Sequence, residues 1–334
     1  VVVWSVYVRF HLLELLQFQM PFLGLRFDAS KLDRGVRTQA VWQIAVSQFL
    51  TGMMLICFLR AMFTDPGSVP DTPEWRADEA MEGDLRRPGH GESDRPPPPV
   101  RECKQSGEPR FCKWCDMLKP DRCHHCRICR SCILRMDHHC PWIANCVGHR
   151  NHKWFFFFVL YSLAVCWFVE ITMFESVAKA IGMGSVPVET DPRVRFALIF
   201  GATLAGVMCF LLTMFAALHW YLILTATTTI EYCEKRTRPA NSILSYSRGV
   251  WADLEAVLGP YCLLWILPVS PPVHSGLYFD ISASSRSVGE ALLAEHQQAC
   301  ERSAQQASLQ ACPDDSMPPE VTPVTPGADQ QGSS

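Results

Sequence analysis

Long apolar runs alternate with stretches that hold most of the charge, and the alternation divides the chain before any motif is read. Ala40 to Phe63 is largely apolar and closes on Arg60 and Asp65. Trp154 to Phe174 is apolar except for Glu170 near its end, and Phe196 to Leu224 is interrupted only by His219. About 20 apolar residues cross ~30 Å of hydrocarbon as a helix, so each run predicts a transmembrane helix. Val1 to Leu25 is poorer, broken by Arg9, His11 and Glu14. It predicts a first span, expected to be truncated because the chain opens at Val1 inside apolar sequence. The pattern therefore predicts a mainly α integral membrane protein with four transmembrane helices.

Four consecutive aromatics, Phe155 to Phe158, wrap their helix, so most are expected to face lipid. Arg9 and Glu170 are expected to snorkel toward helix ends. His219 is a functional candidate, because an ionisable residue inside a span is usually there for function.

The polar stretches differ among themselves. Residues 67–108 are rich in Pro, Gly and charge and end near Pro96-Pro97-Pro98-Pro99, a composition that reads as a solvated linker. From Ser282 to Ser334 the chain is rich in Ser, Gln, Ala and Pro, which predicts a disordered tail after one short helix through Val288 to Ala299. The chain is 49% hydrophobic and 19% charged with a formal charge of −3, and nothing in that balance points to nucleic acid.

Between these stretches lies the chemistry. Nine of sixteen cysteines fall between Cys103 and Cys146, and most repeat every fourteen residues. Cys112, Cys115, His125 and Cys132 form one set; adding fourteen to each gives Cys126, Cys129, His139 and Cys146. In each set a Cys-x-x-Cys turn offers two thiolates to one ion, and a histidine and a third cysteine close the tetrahedron. Four protein ligands leave no open position, so two structural Zn²⁺ ions are expected. Disulfides would not explain a histidine recurring in step with cysteine. Cys123 and His124 stand near enough to replace a neighbouring ligand.

A third unit would open at Cys140, but its next ligand position is Ile143. That leaves a spare thiol in Asp137-His138-His139-Cys140, with His138 unclaimed by metal. Cysteine suits covalent acyl chemistry, since its thiolate is a strong nucleophile and its thioester stays reactive. The thiolate needs a base or nearby positive charge. His138 can serve as that base, with Asp137 orienting its ring as carboxylates do in Cys-His-Asp systems. Sequence proximity alone does not place these three groups together.

The stretch from Cys112 to Asn151 resembles the cysteine-rich domain of the DHHC-type protein S-acyltransferases. The resemblance runs through Lys119-Pro120-Asp121-Arg122, His124-His125-Cys126, Asp137-His138-His139-Cys140-Pro141-Trp142, Asn145-Cys146-Val147-Gly148 and Asn151. Asp65-Pro66-Gly67 and Thr228-Thr229-Ile230-Glu231, each beside a predicted span, add to it. The resemblance implies four spans, with the zinc domain between the second and third and both termini in the cytosol. It also implies transfer of a long-chain acyl group, such as palmitoyl, from acyl-CoA through a Cys140 thioester to cysteines of client proteins at the membrane. Asp137 and His138 would then be catalytic, and Thr228, Thr229 and Glu231 would pack against the catalytic region. Trp142 would line an acyl pocket or sit at the bilayer interface. Endomembranes, Golgi or ER, are the family's usual site.

The domains expected on this basis are 1–66 (two spans), 67–108 (linker), 109–153 (zinc domain), 154–231 (two spans), 232–280 (a cytosolic segment packing near the core) and 281–334 (tail). Orientation is less direct. Arg101 to Lys153 carries eleven Lys or Arg, which favours the cytosol, whereas Arg26, Lys31, Arg34 and Arg37 argue weakly against. Zinc thiolates and a free Cys140 survive best on the reducing side. Past Glu231 the family pattern loosens: Asp253 stands where an Asn is usual, ahead of Val257-Leu258-Gly259, and cannot donate amide hydrogen bonds. Cys123 has no assigned role, and Cys233 is a candidate for acylation. Two other readings are a non-catalytic membrane-anchored zinc adaptor, which would tolerate loss of Cys140, and a cross-brace ubiquitin ligase, which would need different ligand spacing.

Overall fold

Each of the three strong apolar runs forms a helix longer than the run that predicted it. The structure is a computed structural model. It describes residues 2–16, 33–76, 100–102, 104, 109–183, 191–235, 244–269 and 274–282, with Ala294 and Gln298. After α1 (Val2–Tyr7), a π-helical turn (Val8–Leu12) and α2 (Leu13–Leu15), the long helices are α3 (Arg34–Phe63), α4 (His152–Ala180) and α5 (Pro192–Leu224). α3 begins at Asp33, whose carboxylate accepts from the Gly35 N–H. α5 begins at Asp191, which accepts from Arg193 N–H ahead of Pro192. Both are acidic N-caps that satisfy otherwise unpaired amides. α4 lies between α3 and α5 and packs along both.

These are the helices long and apolar enough to cross a membrane among the described residues, and there are three. The N-terminal segments of 6, 5 and 3 residues are too short to count by that measure. They nevertheless lie against the bundle. A Cβ on Gly201 of α5 would sit 2.7 Å from Val6 Cγ1, and Tyr7 and Leu12 pack with Val169, Met173 and Leu198. His11 joins three helices, its Nε2 bonded to Gln43 at 2.8 Å and its Nδ1 to Ser176 at 2.9 Å.

The cysteine-rich region folds as three antiparallel hairpins. They are β1 (Phe111–Cys112) with β2 (Met117–Leu118), β3 (His124–Cys126) with β4 (Ser131–Ile133), and β5 (His138–Cys140) with β6 (Asn145–Val147). Each turn ends on a non-glycine residue with positive φ, namely Asp116 (55°), Arg130 (56°) and Ala144 (49°). These three also stand fourteen apart. The sequence repeat is thus a hairpin repeat, and the third unit keeps its shape without a full ligand set.

The hairpins cap the bundle end where α3 finishes, α4 begins and α5 finishes. Asn145 Nδ2 donates to the carbonyls of Ala61, Met62 and Thr64 at 3.0–3.2 Å, satisfying the free C-terminal carbonyls of α3. Asn151 donates to Ala61 O and Cys146 O and accepts from Gly148 N–H. Gly148 meets Asp65-Pro66-Gly67 directly, since a Cβ there would lie 2.6 Å from the Pro66 carbonyl. Two motifs far apart in sequence form one joint.

Several expectations change. Phe155, Phe156 and Phe157 are buried rather than facing lipid. Phe155 turns toward α5, while Val257 and Leu258 of α7 (Val250–Leu258) and nearby Trp265 cover Phe156 and Phe157. Glu170 does not reach a helix end: α4 continues to Ala180 and one of its carboxylate oxygens is buried. The first part of the expected linker joins the hairpins instead, with Val69 and Trp75 buried beside Cys112 and Cys132. Residues 77–99 and, from 283 onward, the tail with its expected helix apart from Ala294 and Gln298 lie outside the described residues.

The C-terminal segment returns to the same end. Buried Lys153, on the first turn of α4, donates from Nζ to the carbonyls of Leu258 (2.7 Å), Leu264 (3.3 Å) and Val269 (2.7 Å). Asp253 is buried and uses what an Asn lacks, a second acceptor oxygen, taking Ser247 Oγ at 2.6 Å and Arg248 N–H at 2.9 Å.

Candidate active site

The hairpin register explains both metal sets. In the second and third hairpins His125 pairs with Cys132 and His139 with Cys146, so each histidine and its cysteine sit opposite one another. The Cys-x-x-Cys pair comes from the turn of the preceding hairpin. All donor atoms of Cys112, Cys115, His125 and Cys132 lie within 4.8 Å of one another, and so do those of Cys126, Cys129, His139 and Cys146. In the second set, Cys126, Cys129 and Cys146 sulfurs lie 3.7, 3.4 and 3.5 Å from His139 Nδ1. A tetrahedral zinc with ordinary bond lengths separates its ligand atoms by about 3.6–3.8 Å, so the residues fit that ion. Zinc there would supply cross-links rather than a reactive position. Cys123 lies in the cluster beside Cys112 and Cys132 but belongs to neither set.

Cys140 occupies in the third hairpin the place that Cys112 and Cys126 hold in the first two. The Cys126 sulfur accepts the Cys129 N–H at 3.4 Å. The turn amides at Cys112 (Trp114 and Cys115), Cys126 (Ile128 and Cys129) and Cys140 (Trp142 and Ile143) all favour the thiolate. A turn of the kind that serves a metal ligand in the first two hairpins thus recurs at Cys140, which belongs to neither metal set.

The nearest ionisable neighbours of Cys140 are His138 and, behind it, Asp137. His138 Nδ1 bonds Asp137 Oδ2 at 2.7 Å, and the rest of the ring reaches the Cys140 sulfur. Burial pushes the Cys140 thiol up, but the His138 bond and the two turn amides bring it below the ordinary thiol value. Burial likewise disfavours a charged His138, yet Asp137 and Cys140 raise it to about 9. Burial would raise Asp137 too; its bond to His138 and the nearby histidines hold it well below the usual carboxylate range. Together these shifts favour a thiolate–imidazolium pair.

Asp137 is held from behind by Thr229. Thr229 N–H donates to Asp137 Oδ1 at 2.9 Å, and its hydroxyl bonds the Asp137 carbonyl and Oδ2. Thr229 opens α6 (Thr229–Lys235), where Thr228 and Glu231 form a capping box. Thr228 N–H donates to Glu231 at 3.0 Å, and Glu231 N–H donates to the Thr228 hydroxyl at 3.2 Å. Glu231 also takes a two-point bond from buried Arg122, at 2.6 and 2.8 Å. The Arg122 guanidinium is faced by Tyr246 and Phe279, and its carbonyl accepts from Met136 N–H, next to Asp137.

Trp142 is 83% exposed at the tip of the third hairpin. Cys233 is exposed on α6. Reading the sequence did not find the roles of Arg122 and Lys153. Their side-chain partners lie a hundred residues or more away, and no local pattern names those partners.

Comparison with known proteins agrees with this geometry. The family profile described as DHHC palmitoyltransferase matches residues 105–236. Probable protein S-acyltransferase 16 of Arabidopsis thaliana is 34% identical over 287 residues, covering 80% of this chain and 92% of that protein. Palmitoyltransferase ZDHHC15A of Danio rerio is 30% identical over 268 residues, covering 78% and 80%. Palmitoyltransferase ZDHHC15 of Xenopus laevis is 33% identical over 201 residues, where the chain spans 58% of the relative's length. Matched by such relatives over most of its own length and most of theirs, this chain belongs to the DHHC palmitoyltransferase family.

Proposed function

We propose that the chain is a membrane-embedded protein S-acyltransferase that carries a long-chain acyl group, palmitoyl being typical, on Cys140. The observation that carries this reading is the Asp137–His138–Cys140 alignment on a thiolate-holding turn that lacks a metal partner. The Cys140 thiolate attacks the thioester carbonyl of acyl-CoA, forming a new C–S bond. The tetrahedral intermediate expels CoA thiolate, which takes the proton from His138. A client cysteine then gives its proton to His138 and attacks the acyl-enzyme, leaving Cys140 as thiolate. Asp137 keeps the His138 ring in one orientation, and Thr229 keeps Asp137 in place.

The bilayer helices accept the acyl chain. Each buried CH₂ contributes about 0.8 kcal/mol, so the chain dominates recognition over any single polar contact. Trp142, exposed beside the nucleophile, contacts the acyl group or the bilayer surface, and Thr228 and Glu231 act by support alone. The N-terminal segments along α4 and α5 belong to a fourth span, the hairpins face the cytosol, and an endomembrane such as Golgi or ER holds the enzyme.

The test is incubation of the detergent-purified protein with clickable palmitoyl-CoA, beside Cys140→Ser. Hydroxylamine-sensitive label on the parent alone, with zinc content equal in both, supports the reading. Label persisting in Cys140→Ser would move the acyl carrier elsewhere, Cys233 being the exposed candidate. A folded, zinc-loaded parent that takes no label would favour the adaptor reading.

A further inference from the structure

His219 lies beside the reacting groups and has no task in the reaction above. It is fully buried on α5, and neither ring nitrogen has a hydrogen-bond partner among the described residues. Leaving a buried polar group unpaired costs about 1–3 kcal/mol, and a catalytic role is one of the few explanations for such a group.

Its position is defined by three rings. Phe215 lies 4.5 Å from His219, Phe155 5.3 Å and His138 5.9 Å, measured between ring centroids. Phe155 is the shared wall. It packs edge-on against His138 at 5.0 Å and belongs to the same buried cluster as Cys140 and Ala216. Ala216 is one helical turn before His219, so α5 sets Ala216 into the cluster that holds Cys140 and His219 against Phe155 and His138.

A proton relay between the two histidines does not fit. His138 has one nitrogen on Asp137 and uses the other for Cys140, leaving none for His219. The reaction does lack a donor for the carbonyl oxygen that becomes negative during attack. The amides of Trp142 and Ile143 face the Cys140 sulfur, where they favour its thiolate, and Ala144 N–H bonds Pro141 O.

We propose that His219 is a catalytic residue whose ring N–H donates a hydrogen bond to the carbonyl oxygen of the acyl thioester at Cys140. As the Cys140 sulfur bonds the carbonyl carbon, the C=O pair moves onto oxygen, which His219 stabilises. When the bond to CoA breaks, that pair returns to C=O, and CoA leaves with the proton from His138. His219 keeps its own proton throughout, and the same contact serves the attack by the client thiol. The inference rests on the acyl-transfer reading.

The experiment uses the full chain in detergent. Single-turnover acylation by palmitoyl-CoA is compared among the parent, His219→Phe and His219→Gln, with zinc content and melting temperature measured for each. The donorless His219→Phe should acylate Cys140 about 10²–10³-fold more slowly at saturating donor, the usual cost of losing one such hydrogen bond, with KM little changed. His219→Gln keeps an N–H and should recover most of the rate. A second readout is the infrared carbonyl band of the parent acyl-enzyme carrying [1-¹³C]palmitate. It should lie below that of the same acyl-enzyme unfolded and should rise in His219→Phe.

A folded His219→Phe within about threefold of the parent rate would overturn the proposal. So would a parent band equal to that of the unfolded acyl-enzyme, a result that needs no variant to fold. A parent that never labels at Cys140 would remove the acyl-transfer reading itself, which separates the two failures.

Discussion

At the scale of single residues, the proposed reaction turns on one proton between Cys140 and His138, whose position would set both reactivity and pH dependence. The raised His138 favours the paired state most fully below the ordinary histidine value, and this contribution is lost as pH rises through about 9. The lowered Cys140 favours it above the ordinary thiol value, and this contribution is lost as pH falls through its own depressed value. The thiolate–imidazolium pair is therefore populated between the Cys140 value and about 9. Alkylation of Cys140 by iodoacetamide should show a midpoint below that of an ordinary thiol, and His138→Ala should raise it, because burial remains while the bond is gone. An unchanged midpoint would assign the effect to the turn amides alone.

Arg122 supplies a second test at this scale. Arg122→Ala leaves the partly buried Glu231 carboxylate without its partner, a loss expected to cost up to about 3–5 kcal/mol and visible as a large drop in melting temperature. Arg122→Lys should recover little of it, since a lysine cannot make the two-point bond. Cys140 was legible in the sequence by subtraction, as the thiol left after two complete sets. The role of Arg122 was not: it stands in the Lys119-Pro120-Asp121-Arg122 motif, but nothing in that motif says that its side chain meets Glu231, 109 positions away.

At the scale of elements, the hairpins were legible as a repeat but not as strands. Strands of 2 or 3 residues are too short to show alternation, whereas the ligand spacing survives intact. The long helices were legible from length alone. What the helical pattern missed was coverage: the Phe155–Phe157 run looked lipid-facing because the segment that buries two of its rings lies a hundred residues later. Lys153 pins that segment, so Lys153→Met should increase hydrogen exchange across residues 258–269 while zinc content holds. Gly148 pins the hairpins to Asp65-Pro66-Gly67. Gly148→Ala forces a methyl against the Pro66 carbonyl and should lower stability by about 1–3 kcal/mol, read from thermal unfolding.

At the scale of the whole molecule, two kinds of stability meet at one end of a helical bundle. The helices satisfy their own backbone hydrogen bonds, while the hairpins carry two Cys/His clusters able to hold metal, whose binding energy would contribute directly to their folding. A strong zinc chelator should therefore leave the helical circular dichroism nearly intact. Cys140 alkylation should revert toward that of an ordinary thiol and acylation should cease. Retained low-pH reactivity after complete zinc removal would show that the third hairpin holds itself.

The short passage from β6 into α4 has one more consequence. Only residues 148–151 separate the strand opposite Cys140 from a membrane-length helix, and Asn145 and Asn151 tie them to the end of α3. A nucleophile mounted so stiffly has no reach, and on the proposed reaction it works as a depth gauge at the lipid surface. Client cysteines would then be chosen by how far they stand from their own anchor more than by the residues around them. A ladder of membrane-tethered peptides, each with one cysteine at a different distance from the tether, should be acylated in a narrow band of positions whatever the flanking sequence.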